Sequence, residues 1–206
     1  MKQTKQYEYV DLGLPSGLKW AKCNIGAETE TDYGDYFQWG YATPNTADEC
    51  NWASYKYCVG SYNILTKYNT STLHGENPDN ITKLESKDDA ASQIMGNKWR
   101  MPTKDEFDEL LSGTTNEYIE NFNDTGVNGI KFTSKIDTSK YIFIPAAGYC
   151  DNGSVFGGGI YSGVWSSSLN VLIPVYAWYL FLGPSYYGVD DDGFRFGGFS
   201  VRGVTT

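Results

Sequence analysis

The sequence predicts an α+β domain, and three observations carry that expectation. Two short, capped helical patterns lie in the first half, the second half is rich in glycine and strand-like runs, and aromatics make up 16% of the residues. A length of 206 residues favours a single domain spanning 1–206. At that size folding buries roughly 70% of the unfolded surface, enough for a core without covalent staples. Disordered chains are poor in aromatics, so 17 Tyr, 10 Phe and 6 Trp argue for a folded one.

Local signals place the elements in order. Tyr7, Tyr9 and Val10 read as a strand before the breaker-rich Gly13-Leu14-Pro15-Ser16-Gly17, and Leu18-Lys19-Trp20-Ala21 resumes an extended pattern. Asp32-Tyr33-Gly34-Asp35 reads as a turn feeding Tyr36-Phe37-Gln38-Trp39, and the polar, aperiodic stretch Asn45 to Lys83 reads as a long loop. Ser86 with Asp89 fits a capping box; Ala90, Ala91, Ile94 and Met95 then share a face before a stop at Gly96. Thr103 with Glu106 gives a second box, followed by the stripe Phe107, Leu110, Leu111 and a stop at Gly113. Beyond Gly129 the chain turns to β. Ile130–Phe132, Tyr141–Ile144, Gly163–Ser168, Ala177–Leu182 and Phe199–Arg202 are strand-like, and Asp151-Asn152-Gly153 is a hairpin turn.

Composition excludes several function classes. With 25 Asp and Glu against 16 Lys and Arg the net charge is −9, which does not suit a nucleic-acid or anionic-membrane binder. Residues 156–206 contribute only −1 of this, so the acidity belongs to the rest of the chain. No apolar run approaches the 18 residues of a membrane span, and no membrane insertion is expected. MKQTKQYEYV lacks the apolar stretch of a signal peptide, so the chain is expected either to bypass secretion or to have been trimmed.

Catalytic patterns are sparse. His74, the single histidine, lies in the polar Thr72–Glu76 stretch and reads as an exposed loop residue, and no GxSxG elbow accompanies it. Cys23, Cys50, Cys58 and Cys150 form no CxxC pair; they read as free, mostly buried thiols, with a Cys50–Cys58 disulfide as the alternative. Asp190-Asp191-Asp192-Gly193 lacks the ligand spacing of a calcium loop and reads as a turn, and Asn123-Asp124-Thr125-Gly126 reads as an Asx turn. No metal, cofactor or catalytic residue is expected.

The outstanding feature is the segment Tyr161–Phe199, where 39 residues hold 11 aromatics. Trp165, Trp178 and Phe199 suit inward positions. Tyr186 and Tyr187 are adjacent and would point to opposite sides of a strand, while Phe194 and Phe196 sit among glycines in a loop-like stretch. Tyr and Phe in Gly, Ser and Asp surroundings are what binding surfaces use: rigid apolar area at low entropic cost, spaced by adaptable polar groups.

Several stretches resemble a known family. Tyr9–Ala21 continuing to Cys23-Asn24-Ile25-Gly26-Ala27, then Asp32–Gly40, resemble a domain common in Bacteroidetes proteins, and Trp99-Arg100-Met101-Pro102-Thr103 resembles the lead into a helix of the C-type-lectin-like fold. Trp165-Ser166-Ser167-Ser168, Ala177-Trp178, Arg195 and Gly198–Arg202 look like the variable region of diversity-generating retroelement target proteins. That resemblance implies a C-type-lectin-like scaffold of two short helices and small, mainly antiparallel sheets, with 165–204 as the variable region. It also implies a non-enzymatic protein that binds a protein or glycan ligand, displayed on a cell surface or phage virion. Such families vary AAC and AAT codons at adenines, which never yields Lys, Glu, Gln, Met or Trp. Residues 169–206 contain none of the first four, against 30 in residues 1–140, although 141–168 lack them too; their single Trp is Trp178.

By this resemblance the diversified ligand-binding positions are Ile173, Val175, Tyr176, Tyr179, Phe181, Tyr186, Tyr187, Asp190, Asp191, Asp192, Phe194 and Phe196. The fixed scaffold is Trp165, Ser166, Ser167, Trp178, Phe199, Val201 and Arg202, with Trp165 and Trp178 as a buried pair. Two alternatives stay open. One is a fixed-sequence carbohydrate-binding or adhesin module. The other is an enzyme resembling the formylglycine-generating enzymes of the same fold, which need a cysteine pair where Cys150 stands alone in this sequence.

Overall fold

A computed structural model describes residues 6–206; residues 1–5 of the domain expected over 1–206 lie outside the described residues. Among the described residues the chain forms eleven strands in four small antiparallel sheets, with two α-helices, an α+β arrangement rich in β. β1 (Tyr9–Asp11) and β2 (Lys19–Ala21) flank the expected turn, where Gly17 N donates to Leu14 O at 2.9 Å. The Asn45–Lys83 stretch carries only 3-10 turns and isolated bridges. α1 (Ala90–Ile94) is capped by Asp89, whose carboxylate accepts from Ser92 N at 2.8 Å. The expected Ser86–Asp89 box does not form, because Ser86 opens a separate 3-10 turn and Asp89 itself holds the helix start. α2 (Lys104–Gly113) has its box: Glu106 N donates to Thr103, Thr103 N donates to Glu106, and Arg100 adds a bidentate pair to the same carboxylate at 2.6 Å.

Gly113 leads directly into β3 (Thr114–Ile119), which pairs with β4 (Gly129–Ser134), itself paired with β5 (Tyr141–Pro145). β6 (Tyr149–Asp151) and β7 (Ser154–Phe156) form the expected hairpin, with Asn152 and Gly153 at φ 41° and 85°. β8 (Ser162–Leu169), β9 (Tyr176–Leu182) and β10 (Tyr187–Phe194) make a sheet ordered β10-β9-β8. β11 (Val204–Thr205) pairs with β2, placing Val204 opposite Trp20.

Two β expectations need correction. Asp190–Asp192 is not a turn: it lies on β10, where pairing with β9 is interrupted by a bulge between Asp190 and Gly193. Phe199–Arg202 is not a continuous strand; it makes single bridges, Phe37↔Phe199 and Val164↔Ser200, because Phe37 belongs to no strand and Val164 lies on β8.

β8 sits between two apolar clusters and feeds both, Trp165 into one and Val164 into the other, as the alternation of a strand requires. The first cluster joins Trp165 and Phe199 to Trp39, Tyr68, Trp99 and α1; the second joins Val164, Leu180 and Leu182 to Trp20, α2, β4 and β5. Two fully buried arginines tie distant segments to this core. The Arg195 guanidinium donates to Tyr55 Oη, Tyr68 O, Pro174 O and Lys67 O at 2.8–2.9 Å and lies over the Trp39 ring at 5.0 Å. Arg202 donates to Asn24 Oδ1, Ala21 O and Phe143 O, each at 2.9 Å, and to Lys22 O; burial lowers its pKa to about 10. The long loop is thus fixed without secondary structure. Its Tyr68 hydroxyl donates to Asp88 at 2.6 Å, beside Lys67 at 2.5 Å. Burial opposes ionisation of Asp88, but the hydrogen bonds from Lys67, Tyr57 and Tyr68 outweigh it and hold the carboxyl down to about 2.

Candidate ligand-binding surface

Along β9 the side chains alternate: Leu180 and Leu182 enter the core, while Tyr179 and Phe181 face the opposite side. That side forms one wall of a cavity of roughly 530 Å³, a size suited to a small ligand or a projecting side chain. Tyr149 and Asp151 of β6, with Tyr161 before β8, line the facing wall. Phe194, Phe196 and Phe199 close the remaining side. The rings run in contact around the space: Tyr149–Tyr161 at 6.3 Å, Tyr161–Phe181 at 5.7 Å, Tyr149–Phe199 at 5.5 Å, Tyr179–Phe199 at 4.9 Å and Phe194–Phe196 at 5.3 Å. Each pair lies in the range of favourable aromatic contact.

Glycine makes the cavity's floor possible. A Cβ on Gly193 would stand 2.7 Å from the Trp165 ring, and one on Gly163 would stand 2.7 Å from Phe199. Both backbones must therefore lie directly against aromatic faces.

The polar groups are mostly acceptors. Tyr179 Oη donates to Asp192 at 3.1 Å, Tyr186 Oη donates to Asp190 at 2.8 Å, and Asn152 donates to Asp151 at 2.6 Å. Burial, with the charges of Asp192 and Asp190, pushes the Tyr179 hydroxyl well above its ordinary range, so it stays a donor. Burial likewise raises the Asp151 and Asp190 carboxyls, against the hydrogen bonds of Asn152 and Tyr186. Ser162 of β8 borders the cavity, but it stands opposite Leu182 on the Val164 side of the strand, so its fully buried hydroxyl, which has no partner among the described residues, faces the core.

The twelve positions expected to bind ligand divide. Ile173, Tyr186, Tyr187, Asp191, Asp192 and Phe194 are exposed; Tyr176, Tyr179, Phe181 and Asp190 are half-buried. Val175 and Phe196 are buried, at 5% and 4% exposure; Val175 lies away from the cavity, while Phe196 lines it. Phe196 is covered by Trp52 at 5.1 Å, a contact supplied by the long loop. Of the scaffold positions, Trp165, Ser166, Ser167, Phe199, Val201 and Arg202 are buried. Trp178 is not half of a buried pair: it is half-buried on the Leu180 side of β9, with Lys104 Nζ 5.0 Å from its ring.

Three further expectations change. His74 is half-buried within the Thr72–His74 turn rather than exposed. No disulfide joins Cys50 to Cys58. Cys150 does not stand alone: its thiol meets that of Cys50, and this hydrogen bond, with burial, raises Cys50. The backbone shows the same proximity, since Cys150 N donates to Gly198 O and a Cβ on Gly198 would touch the Cys50 sulfur. Both thiols are closed to solvent, at 0% and 1% exposure.

Sequence reasoning missed Tyr149, Asp151 and Ser162 as cavity residues. The signal available was the Asn152-Gly153 turn beside Tyr149, which fixes a hairpin but not what it faces. No protein-family model, no curated protein and no solved structure matches the chain.

Proposed function

We propose that the chain is a non-enzymatic ligand-binding module, presenting a retroelement-diversified face on a C-type-lectin-like scaffold. One observation carries this reading: exposure divides the C-terminal segment along the line the resemblance implies. Ten of the twelve positions named as variable are exposed or half-buried, while six of the seven named as fixed are buried. The exposed set is Tyr, Phe, Ile and Asp, the mixture of rigid anchors and hydrogen-bond acceptors that binding surfaces favour. Two short helices beside small antiparallel sheets accord with the proposed scaffold.

The ligand is a protein or glycan on a cell or phage surface. Net charge −9 disfavours nucleic acid. Among the described residues no helix is long and apolar enough to cross a membrane. The Cys50–Cys150 pair is the observation that favours thiol chemistry instead; burial of both sulfurs counts against it, since reactive thiols need access.

The test is genomic. A near-copy of codons 165–204 and a reverse-transcriptase gene are expected close to this gene, with mismatches at adenines of the copy. Their absence would remove the retroelement and leave a fixed-sequence binding module.

A further inference from the structure

We propose that the aromatic cavity beneath β9 takes an organic cation, an ammonium or guanidinium group borne by a small molecule or by a Lys or Arg side chain of a protein partner. The inference rests on the ligand-binding reading and names the chemistry of its site.

Four features converge. The walls are largely aromatic, and the face of an aromatic ring presents negative potential to a cation. Asp151 and Asp192 line the same space, and Asp190 stands opposite Tyr179 in the strand register beside it. Among the described residues none of these carboxylates has an ion-pair partner, although eight such pairs occur elsewhere. No Lys, Arg or His lines the cavity. Burial raises the Asp151 carboxyl, and burial together with the charges of Asp192 and Asp191 raises that of Asp190.

A cationic N–H group would donate to Asp192 while its carbons pack on Phe181 and Phe199. A neutral sugar fits less well: no amide or cationic side chain lines the site, so among its side chains only Tyr hydroxyls could donate to the sugar's oxygens.

The experiment is titration of the whole chain, followed by calorimetry and aromatic proton shifts. Its probes are choline, Nα-acetyl-lysine amide, Nα-acetyl-arginine amide, the neutral isostere 3,3-dimethyl-1-butanol, and methyl glucoside. At least one cation is expected to bind, with the neutral isostere weaker by about tenfold and with affinity falling as salt rises. Preference for choline indicates a free small cation; preference for the amino-acid amides indicates a partner's side chain. Asp192→Asn, which keeps shape and removes charge at an exposed position, should lower cation affinity about tenfold, and Phe181→Leu should lower it further. Equal binding of the isostere, an unaltered affinity in Asp192→Asn, or no cation binding would overturn the proposal. Binding of the glucoside or the isostere in place of cations would overturn the cation assignment alone and leave the ligand-binding reading intact.

Discussion

Replacing Arg195 with alanine is expected to abolish cooperative folding or lower the melting temperature by about 8–16 °C, on the order of 4 kcal/mol at roughly 2–4 °C per kcal/mol. The side chain is fully buried and makes no ion pair among the described residues; its charge is spread over Tyr55 Oη and the carbonyls of Lys67, Tyr68 and Pro174. Removing it leaves those acceptors facing a void, and hydrogen bonds to charged groups are worth about 1.5–3 kcal/mol each. The loss is also one of organisation. Arg195 lies between β10 and the core and is the post around which the long loop is wound, since that loop has no ladder of its own. Arg195→Lys should fail nearly as badly, because an ammonium has three donors and no planar fork to reach partners on several sides. Thermal unfolding followed by circular dichroism reads the outcome. A melt within 5 °C of the parent for Arg195→Ala would show that the loop is held by other means.

Trp165→Ala is expected to cost about 3–5 kcal/mol, the cost typical of emptying a buried aromatic site. The indole is fully buried, stacks on Phe199 at 4.1 Å and 14°, and donates from Nε1 to Phe37 O at 2.7 Å. Gly193 and Tyr179 pack against its other edges, so the same ring supports the floor of the cavity. Truncation should therefore loosen the binding face as well as the core. Trp165→Phe restores most of the volume but not the hydrogen bond, and should recover more than half of the loss. Denaturant titration of both variants checks the order; equal stability of Trp165→Ala and the parent would contradict the packing described.

The legibility of these features in the sequence follows from how local their causes are. Thr103 and Glu106 specify the start of α2 within four residues, and Asn152-Gly153 specifies the β6–β7 turn within two; both are present. β10 was hidden because Asp190–Asp192 has poor strand propensity and becomes a strand only by pairing with β9. Phe196 looked like a surface residue among glycines until Trp52 covered it from the far side of the chain. Trp178 looked like core by residue type, yet it is half-buried on β9 with Lys104 over its ring. Cys50 and Cys150 meet through the turn and hairpin that carry them, which no spacing rule anticipates. The cavity is the extreme case: its walls come from β6, β8, β9, β10 and two connections, so its aromatic character was visible in composition while its shape was not.

The division between a variable face and a fixed frame is tested most directly by sequencing the segment that encodes residues 165–204 across many copies of this gene. Amino-acid differences are expected to gather at Ile173, Tyr176, Tyr179, Phe181, Tyr186, Tyr187, Asp190–Asp192 and Phe194, and to spare Trp165, Arg195, Phe199 and Arg202. Differences spread evenly along the segment, or concentrated at the buried positions, would contradict it.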